Sequence, residues 1–458
     1  MKYDTVIIGA GMSGLSAGVR LAYFEKSVCI LERHTTIGGL NSFYRLRDRN
    51  YDVGLHAITN YAEPGTKAGP LSKLLRQLRM KWDDFDLRPQ LQSKIAFPGC
   101  ILWFTNDFNC LLSNIAEAFP GQIDGFRRLL QRINDHDALD LNRKSVSARQ
   151  VLSEHISDPL LTDMLFCPLM FYGSATPRDM DFSQFVIMFK SIFYEGFGRP
   201  FDGIRRILKR LVRHFKALGG HIKLRAGVQE IVQCNGQASS VILDDGTEIE
   251  AGSILSSAGA AETMRMVDAT QPVRQPCPGN ISFVESISVL DREPSDLGHS
   301  ETIVFFNDAD SFHYERPDRP VDLRSGIICS PNNFDYSRPL EDGRVRITAL
   351  ADPDYWISLS DADYQHRKME WNDRIIQTAV NHVPDFRPHV LDTDVFTPRT
   401  IRRFTGHDNG CVYGAPSKFV NGQTPVSNLY LCGTDQGFLG IVGAMLSGIT
   451  IANRYLLK

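Results

Sequence analysis

Residues 3–8 (Tyr-Asp-Thr-Val-Ile-Ile) form a short apolar run, followed by glycines and then helical spacing to about Glu25. A second run, 27–32 (Ser-Val-Cys-Ile-Leu-Glu), follows. Runs of this length suit parallel strands buried on both faces, so the segment predicts one strand–helix–strand unit. Leu, Ile and Phe recur at helical spacing over 71–80 and 110–133, and 159–197 is dense in Met, Phe and Leu. Over 203–217 the residues Ile204, Ile207, Leu208, Leu211, Val212 and Phe215 share one face of a basic amphipathic helix, closed by Gly219-Gly220. Strands are predicted at 221–224 and 228–232, and a hairpin at 240–249 turns at Asp244-Asp245-Gly246. Ser253 to Gly259 reads as a strand entering a glycine turn. Alternation over 281–350 predicts a second, antiparallel sheet, 362–383 a helix, and 428–457 a strand, glycine turn and helix.

Composition narrows the class. With 43% hydrophobic and 22% charged residues, the 458-residue chain has the mix of a globular protein of more than one domain. A net charge of −3 without a basic arm argues against nucleic acid as a partner. Nine scattered cysteines show no metal-type spacing and are expected to be reduced thiols. The first strand starts so early that no leader is expected before it, which predicts a cytoplasmic location or peripheral contact with the cytoplasmic membrane face. Gly437 to Leu457 imitates a membrane span, but its four glycines favour a closely packed buried helix.

Gly9-Ala-Gly11-Met-Ser13-Gly14 is a G-x-G-x-x-G directly after a strand and directly before a helix. Gly9 permits the turn, Gly11 keeps side chains off a diphosphate, and Gly14 lets helix and strand approach. The helix N-terminus then attracts the anion. Glu32, ending the second strand, is placed to accept from ribose hydroxyls and to repel a 2′-phosphate.

Glu32-Arg33, then Gly38-Gly39-Leu40-Asn41, then Asp52-Val53-Gly54, resembles the N-terminal signature of the amine-oxidase and phytoene-desaturase superfamily of flavoproteins. Leu40 stands where many members carry Arg. The chain's end, Gly433-Thr434-Asp435 followed by Gly440-Ile441-Val442-Gly443, resembles the closing flavin motif of the same family. The resemblance implies an FAD cofactor, with Asp435 at its ribityl-phosphate region and the last helix aimed at the isoalloxazine. It also implies adenine held through the backbone of Val228, and Ala258-Gly259 lining the site. The implied fold is α/β: a Rossmann-like FAD-binding domain (1–85, 200–270 and 390–458) and a second α+β substrate domain with a mixed antiparallel sheet plus helices (86–199 and 271–389). In that setting the helix at 203–217 packs inside the FAD domain, although its basic face also suits anionic lipid.

Thr397-Pro398, Arg403-Phe404-Thr405-Gly406 and Gly410-Cys-Val-Tyr413-Gly414 resemble the phytoene desaturase and carotenoid isomerase branch. That branch implies desaturation of a long apolar isoprenoid, with hydride passing to flavin N5, or saturation or isomerisation of a polyene. An amine-oxidase-like or protoporphyrinogen-oxidase-like enzyme and a non-catalytic FAD- or isoprenoid-binding protein are the alternatives. An apolar substrate calls for an apolar tunnel, and 159–197 reads either as its lining or as plain core. No second G-x-G-x-x-G follows a strand, so the expected electron acceptor is oxygen, a quinone or another protein. His56 is a candidate catalytic or flavin-contacting group and His313 a lesser one, while Tyr413 and Tyr430 are the tyrosines available for an aromatic cage.

Overall fold

The computed structural model describes residues 2–138, 144–267 and 275–458. The first apolar run becomes the strand Lys2–Ile8, flanked in parallel by Val28–Glu32 on one side and Glu248–Ser256 on the other. His221–Leu224 extends this sheet beyond Val28–Glu32, and Leu429–Leu431 pairs with the end of Glu248–Ser256. The start of Glu248–Ser256 carries the antiparallel strands Gln237–Leu243 and Val228–Cys234, joined to it through the predicted hairpin. Segments from both ends and the middle of the chain thus build one sheet.

The helix Met12–Tyr23 packs against Gly440–Ile451 and Ile204–Ala217, with ten of its residues buried. Contact this close needs missing side chains. A Cβ on Gly14 would lie 2.2 Å from the Gly9 carbonyl oxygen, and one on Gly448 would lie 2.0 Å from that of Ser13. The helix Ile204–Ala217 buries Ile204, Ile207, Leu208, Leu211 and Phe215 inside this domain. Among the described residues no helix is long and apolar enough to cross a membrane, and Gly440–Ile451 is a packed helix.

The second sheet runs Val390–Phe396, Ser282–Leu290, Gly343–Ala351, Ser325–Cys329, Ile303–Asn307, Ser93–Phe97 and Cys100–Phe104. It is antiparallel except between Ile303–Asn307 and Ser93–Phe97. Period-two alternation sorts its side chains: Phe283, Phe305 and Ile327 face the helices Pro159–Gly173 and Phe182–Phe189, whereas Val284, Val304 and Ile328 face Asp361–Ala379. Most of 159–197 is core, since Met164, Phe166, Phe185 and Phe189 are fully buried there.

Two features depart from expectation. Val390–Phe396, assigned by sequence to the FAD domain, hydrogen-bonds along Ser282–Leu290 and belongs to the second sheet, because its free edge there offers a full ladder. The hairpin Ser93–Phe97/Cys100–Phe104 had no predicted strands. The boundary placed at 270/271 lies outside the described residues.

Alanine is ordinarily favoured over glycine in a helix by about 1 kcal/mol. At Gly448 the overlap with backbone reverses this, and Gly448→Ala is expected to destabilise by about 1–3 kcal/mol. Thermal unfolding measures it, with Gly121→Ala, whose Cβ meets nothing within 4 Å, as the silent control.

Candidate active site

The first turn presents the open end of a helix. Gly9, at φ +97°, reverses the chain and donates its N–H to the Leu31 carbonyl at 2.8 Å. Gly11 occupies the N-cap of Met12–Tyr23, and no side chain caps the helix. This end borders a cavity of about 190 Å³ lined by Gly9, Gly11, Ser13, Gly38, Gly39 and Gly433 together with Glu32, Arg33, Leu40, Asn41, Val228 and Ala258. A Cβ on Gly11 would find only the Gly38 carbonyl oxygen, at 4.0 Å. Unpaired N–H groups, open space and glycine backbone together fit a dinucleotide diphosphate.

Glu32 is buried, and its oxygens already accept from backbone: Oε2 from Ala10 N–H and Oε1 from His34 N–H, each at 3.0 Å. A carboxylate has about four acceptor sites, so Glu32 locks the turn to the second strand and retains capacity for two ribose hydroxyls. Beside it, burial would push His407 down, but Glu262, 3.5 Å from its Nδ1, holds it above its ordinary value. Phe404, Thr405, Gly406 and His407 line this cavity although sequence reasoning gave them no cofactor contact; the run Arg403–Gly406 was the available signal.

A second cavity, of about 500 Å³, adjoins the first and shares Glu32, Gly39, Leu40, Asn41, Phe404, Thr405, Thr434 and Ala444 with it. Its far wall comes from the second domain, through Phe171, Tyr172, Phe283, Ile327 and Thr348, and from Tyr413 of the C-terminal segment. The beginning of the last helix, Gly440 and Ile441, also lines it.

Register explains the far wall. Glu285 pairs with Thr348, and Ile327 pairs with Thr348 from the other side, so the three neighbours share one sheet face. Arg346, two residues from Thr348, shares that face and ion-pairs with Glu285. His56, entering from the first domain, places Nε2 3.1 Å from Thr348 Oγ1 and 3.4 Å from a Glu285 oxygen. Burial alone would raise the Glu285 carboxyl, but the Arg346 charge and the bonds from His56 and Arg346 bring it down to about 2. Arg346 also donates to the Leu55 carbonyl at 2.9 Å, as does Arg199, which pairs with the buried Asp52 at 2.6 Å. Two buried arginines thereby clamp the loop that carries His56.

Not every expected residue lines a cavity. Asp435 is 2% exposed, and its carboxylate accepts from Ala260 N–H and from Ala415 N–H at 2.7 Å, so it ties three segments together. Gly14 and Val442 are packing residues, and Gly259, at φ +101°, starts the helix Ala260–Met266. Ala258 and Val228 do border the smaller cavity. Tyr430 stacks on Tyr455 and His313 contacts Ser311, both away from the cavities, so Tyr413 and Tyr430 form no facing pair.

Two outcomes are expected. Arg346→Met leaves Glu285 buried without its cation and destabilises by about 3–5 kcal/mol, most of it recovered in the double variant Glu285→Leu/Arg346→Met. Thermal midpoints test this. In the wild type the pair's contribution is complete above pH 4.5 and disappears as pH falls toward 2, the folded-state value, which midpoints across that range follow. Glu32→Ala is expected to weaken FAD binding about ten- to a hundredfold by removing charge-assisted hydrogen bonds, measured by titrating the apoprotein.

A family model described as flavin containing amine oxidoreductase matches residues 12–290. Prolycopene isomerase of Arabidopsis thaliana is 25% identical over 500 residues, covering 99% of this chain and 82% of that protein. The all-trans-retinol 13,14-reductase of Danio rerio is 23% identical over 531 residues, covering 99% and 86%. Among solved structures, a putrescine oxidase redesigned in cofactor binding superposes with a TM-score of 0.67 at 17% identity, covering 99% of this chain and 98% of that one. The cofactor of this fold is FAD, which supplies the hydride-exchanging centre, while the chain's residues bind, orient and exclude water. A model that spans most of the chain and a glycine cradle that fits the diphosphate agree, and the chain belongs to the flavin containing amine oxidoreductase family.

Proposed function

We propose that this oxidoreductase acts on carbon–carbon bonds of a long apolar isoprenoid or polyene, by desaturation or by the related saturation or isomerisation. The observation that carries the reading is the larger cavity. Aromatic and aliphatic side chains, among them Phe171, Tyr172, Phe283, Ile327, Val412 and Leu439, line it, and the carboxylates on its wall already have partners. Glu285 is matched by Arg346 and His56, Asp394 by Lys368 and the Tyr44 hydroxyl, and Glu32 by two backbone N–H groups. A cationic amine entering here would have to displace Arg346 from Glu285, whereas a hydrocarbon chain gains from the apolar surface without meeting an unmatched charge. Relatives named for prolycopene isomerisation and retinol reduction, matched over 82% and 86% of their length, support the same choice.

Residues do modest work in such a reaction. The aromatic wall of Phe171, Phe283 and Tyr413 holds the chain flat and keeps water out, and negative ring faces stabilise positive charge developing on a polyene. His56 is the group placed to take or return a proton, since its Nε2 already sits in a hydrogen-bonded relay with Thr348 and Glu285. The electron acceptor is proposed to be oxygen, a quinone or another protein. Peripheral contact with a membrane follows from the solubility of such a substrate.

Anaerobic mixing of the holoprotein with phytoene-, squalene- and retinoid-type compounds tests the proposal. The flavin band is expected to bleach with a desaturable isoprenoid, or the polyene spectrum to shift with the chemically reduced protein. Bleaching by a diamine, with no response to any polyene, would overturn it.

A further inference from the structure

Two titratable side chains of the smaller cavity stand outside the glycine cradle. Glu262 belongs to the short helix Ala260–Met266, which Gly259 starts, and His407 follows the helix Pro398–Thr405. Both line the cavity, and their side chains keep 12% and 9% of their surface exposed. Glu262 Oε1 faces His407 Nδ1 at 3.5 Å and accepts from Asp408 N–H at 2.8 Å. A Cβ on Gly259 would stand 2.2 Å from Glu262 Oε2 and 3.1 Å from His407 Cε1, so both side chains occupy the space beside that glycine. Of the imidazole nitrogens, Nδ1 is closed off from solvent and Nε2 is not. Neither Nε2 nor Glu262 Oε2 has a hydrogen-bond partner among the described residues.

The charges around the imidazole are otherwise matched. Asp408 pairs with Arg265 at 2.9 Å, and Asp435 has Lys418 at 3.6 Å besides its two backbone donors. Arg33 lies over Gly406, and burial pushes the Cys411 thiol up to about 12, so it stays neutral. Burial pushes His407 down, but Glu262, with Asp435 and Asp408 behind it, holds the imidazole above its ordinary value. With Nδ1–H turned to Glu262, the charged ring presents Nε2–H as a donor and the neutral ring presents a lone pair. Glu262 and His407 share their end of the cavity with Ala226, Val228 and Met266, which do not border the larger cavity, whereas Leu40, Thr434 and Ala444 border both. A diphosphate offers acceptors only and would be repelled by the open Oε2. The adenine amino group and the ribose hydroxyls donate, and the adenine nitrogens accept, so an adenosine satisfies both groups.

We propose that Glu262 and His407 act together as a clasp on the adenosine half of FAD, the carboxylate accepting a hydrogen bond and the charged imidazole donating one. The pair is neutral overall, so it selects by hydrogen-bond direction and not by net charge. Loss of the imidazole proton removes the donor, sets a lone pair against the ligand's own, and leaves the Glu262 charge unmatched in the cavity. Cofactor affinity is thereby coupled to pH through two residues that the larger cavity does not include, and the coupling holds whatever the substrate.

Dilution of the holoprotein between about pH 6 and about pH 9, with free flavin read from its recovered fluorescence, tests the clasp. FAD affinity is expected to stay level below the imidazole's value in the free protein and to fall by at least about tenfold above it. It levels off again once the bound protein has also lost the proton. Competing ADP-ribose, which carries the adenosine and a diphosphate diester without flavin, is expected to show the same fall, and competing riboflavin none. His407→Asn is expected to bind FAD at the alkaline level of the wild type at every pH. Glu262→Gln is expected to move the fall to lower pH, because burial then acts on the imidazole against weaker opposition. His34 borders the larger cavity and is held below its ordinary value by burial, so a fall above about pH 6.5 is not its own. A flat wild-type profile, a fall that persists in His407→Asn, or an equal fall for riboflavin would each overturn the inference. The wild-type comparison of ADP-ribose with riboflavin stands even where a variant fails to fold. Absence of FAD binding at every pH would sink the cofactor assignment, and the clasp with it.

Discussion

The closeness of the first helix to its neighbours governs everything built on it. Met12–Tyr23 can present a bare N-terminus to a diphosphate only if its flank is pressed against Gly440–Ile451 and Ile204–Ala217. At Gly448 the approach leaves no room for a methyl group, because the Ser13 carbonyl occupies it. Chain segments more than four hundred residues apart are thereby held at one cofactor. The same approach brings Gly433 and Ser13 side by side at the cavity.

A second constraint is electrostatic. At and behind the far wall, two carboxylates, two arginines and a histidine meet at the junction of the two domains, at a depth where an unpaired charge would be strongly unfavourable. Pairing Arg346 with Glu285 and Arg199 with Asp52 neutralises the interior, and both arginines spend a further N–H on the Leu55 carbonyl. The loop bearing His56 is thus positioned by charge pairs and not by packing alone. Its imidazole faces an apolar space with a defined hydrogen-bonding partner.

The dinucleotide site was legible because its requirements are local. A strand, a turn of glycines and an uncapped helix follow one another within Lys2–Tyr23, and Glu32 ends the very next strand. Gly38 to Asn41, marked by the family resemblance, also line the dinucleotide cavity. The far wall was illegible for the opposite reason. Glu285, Ile327 and Thr348 are dozens of residues apart and become neighbours only through sheet register, while Tyr172 sits in a segment whose composition reads equally as core. Asp435, which the motif marks, also has a structural role that the motif does not convey: its carboxylate accepts from the backbone of Ala260 and Ala415.

By itself the sequence determined the βαβ opening, the packed character of the last helix and the existence of a second sheet. Each follows from periodicity or from a glycine acting on near neighbours. Tertiary structure alone decided that Val390–Phe396 joins the second sheet, that most of 159–197 fills the core, and which side chains meet in the cavity. Strand partners and buried charge pairs are chosen among distant segments by register and desolvation, and neither leaves a mark on a local pattern.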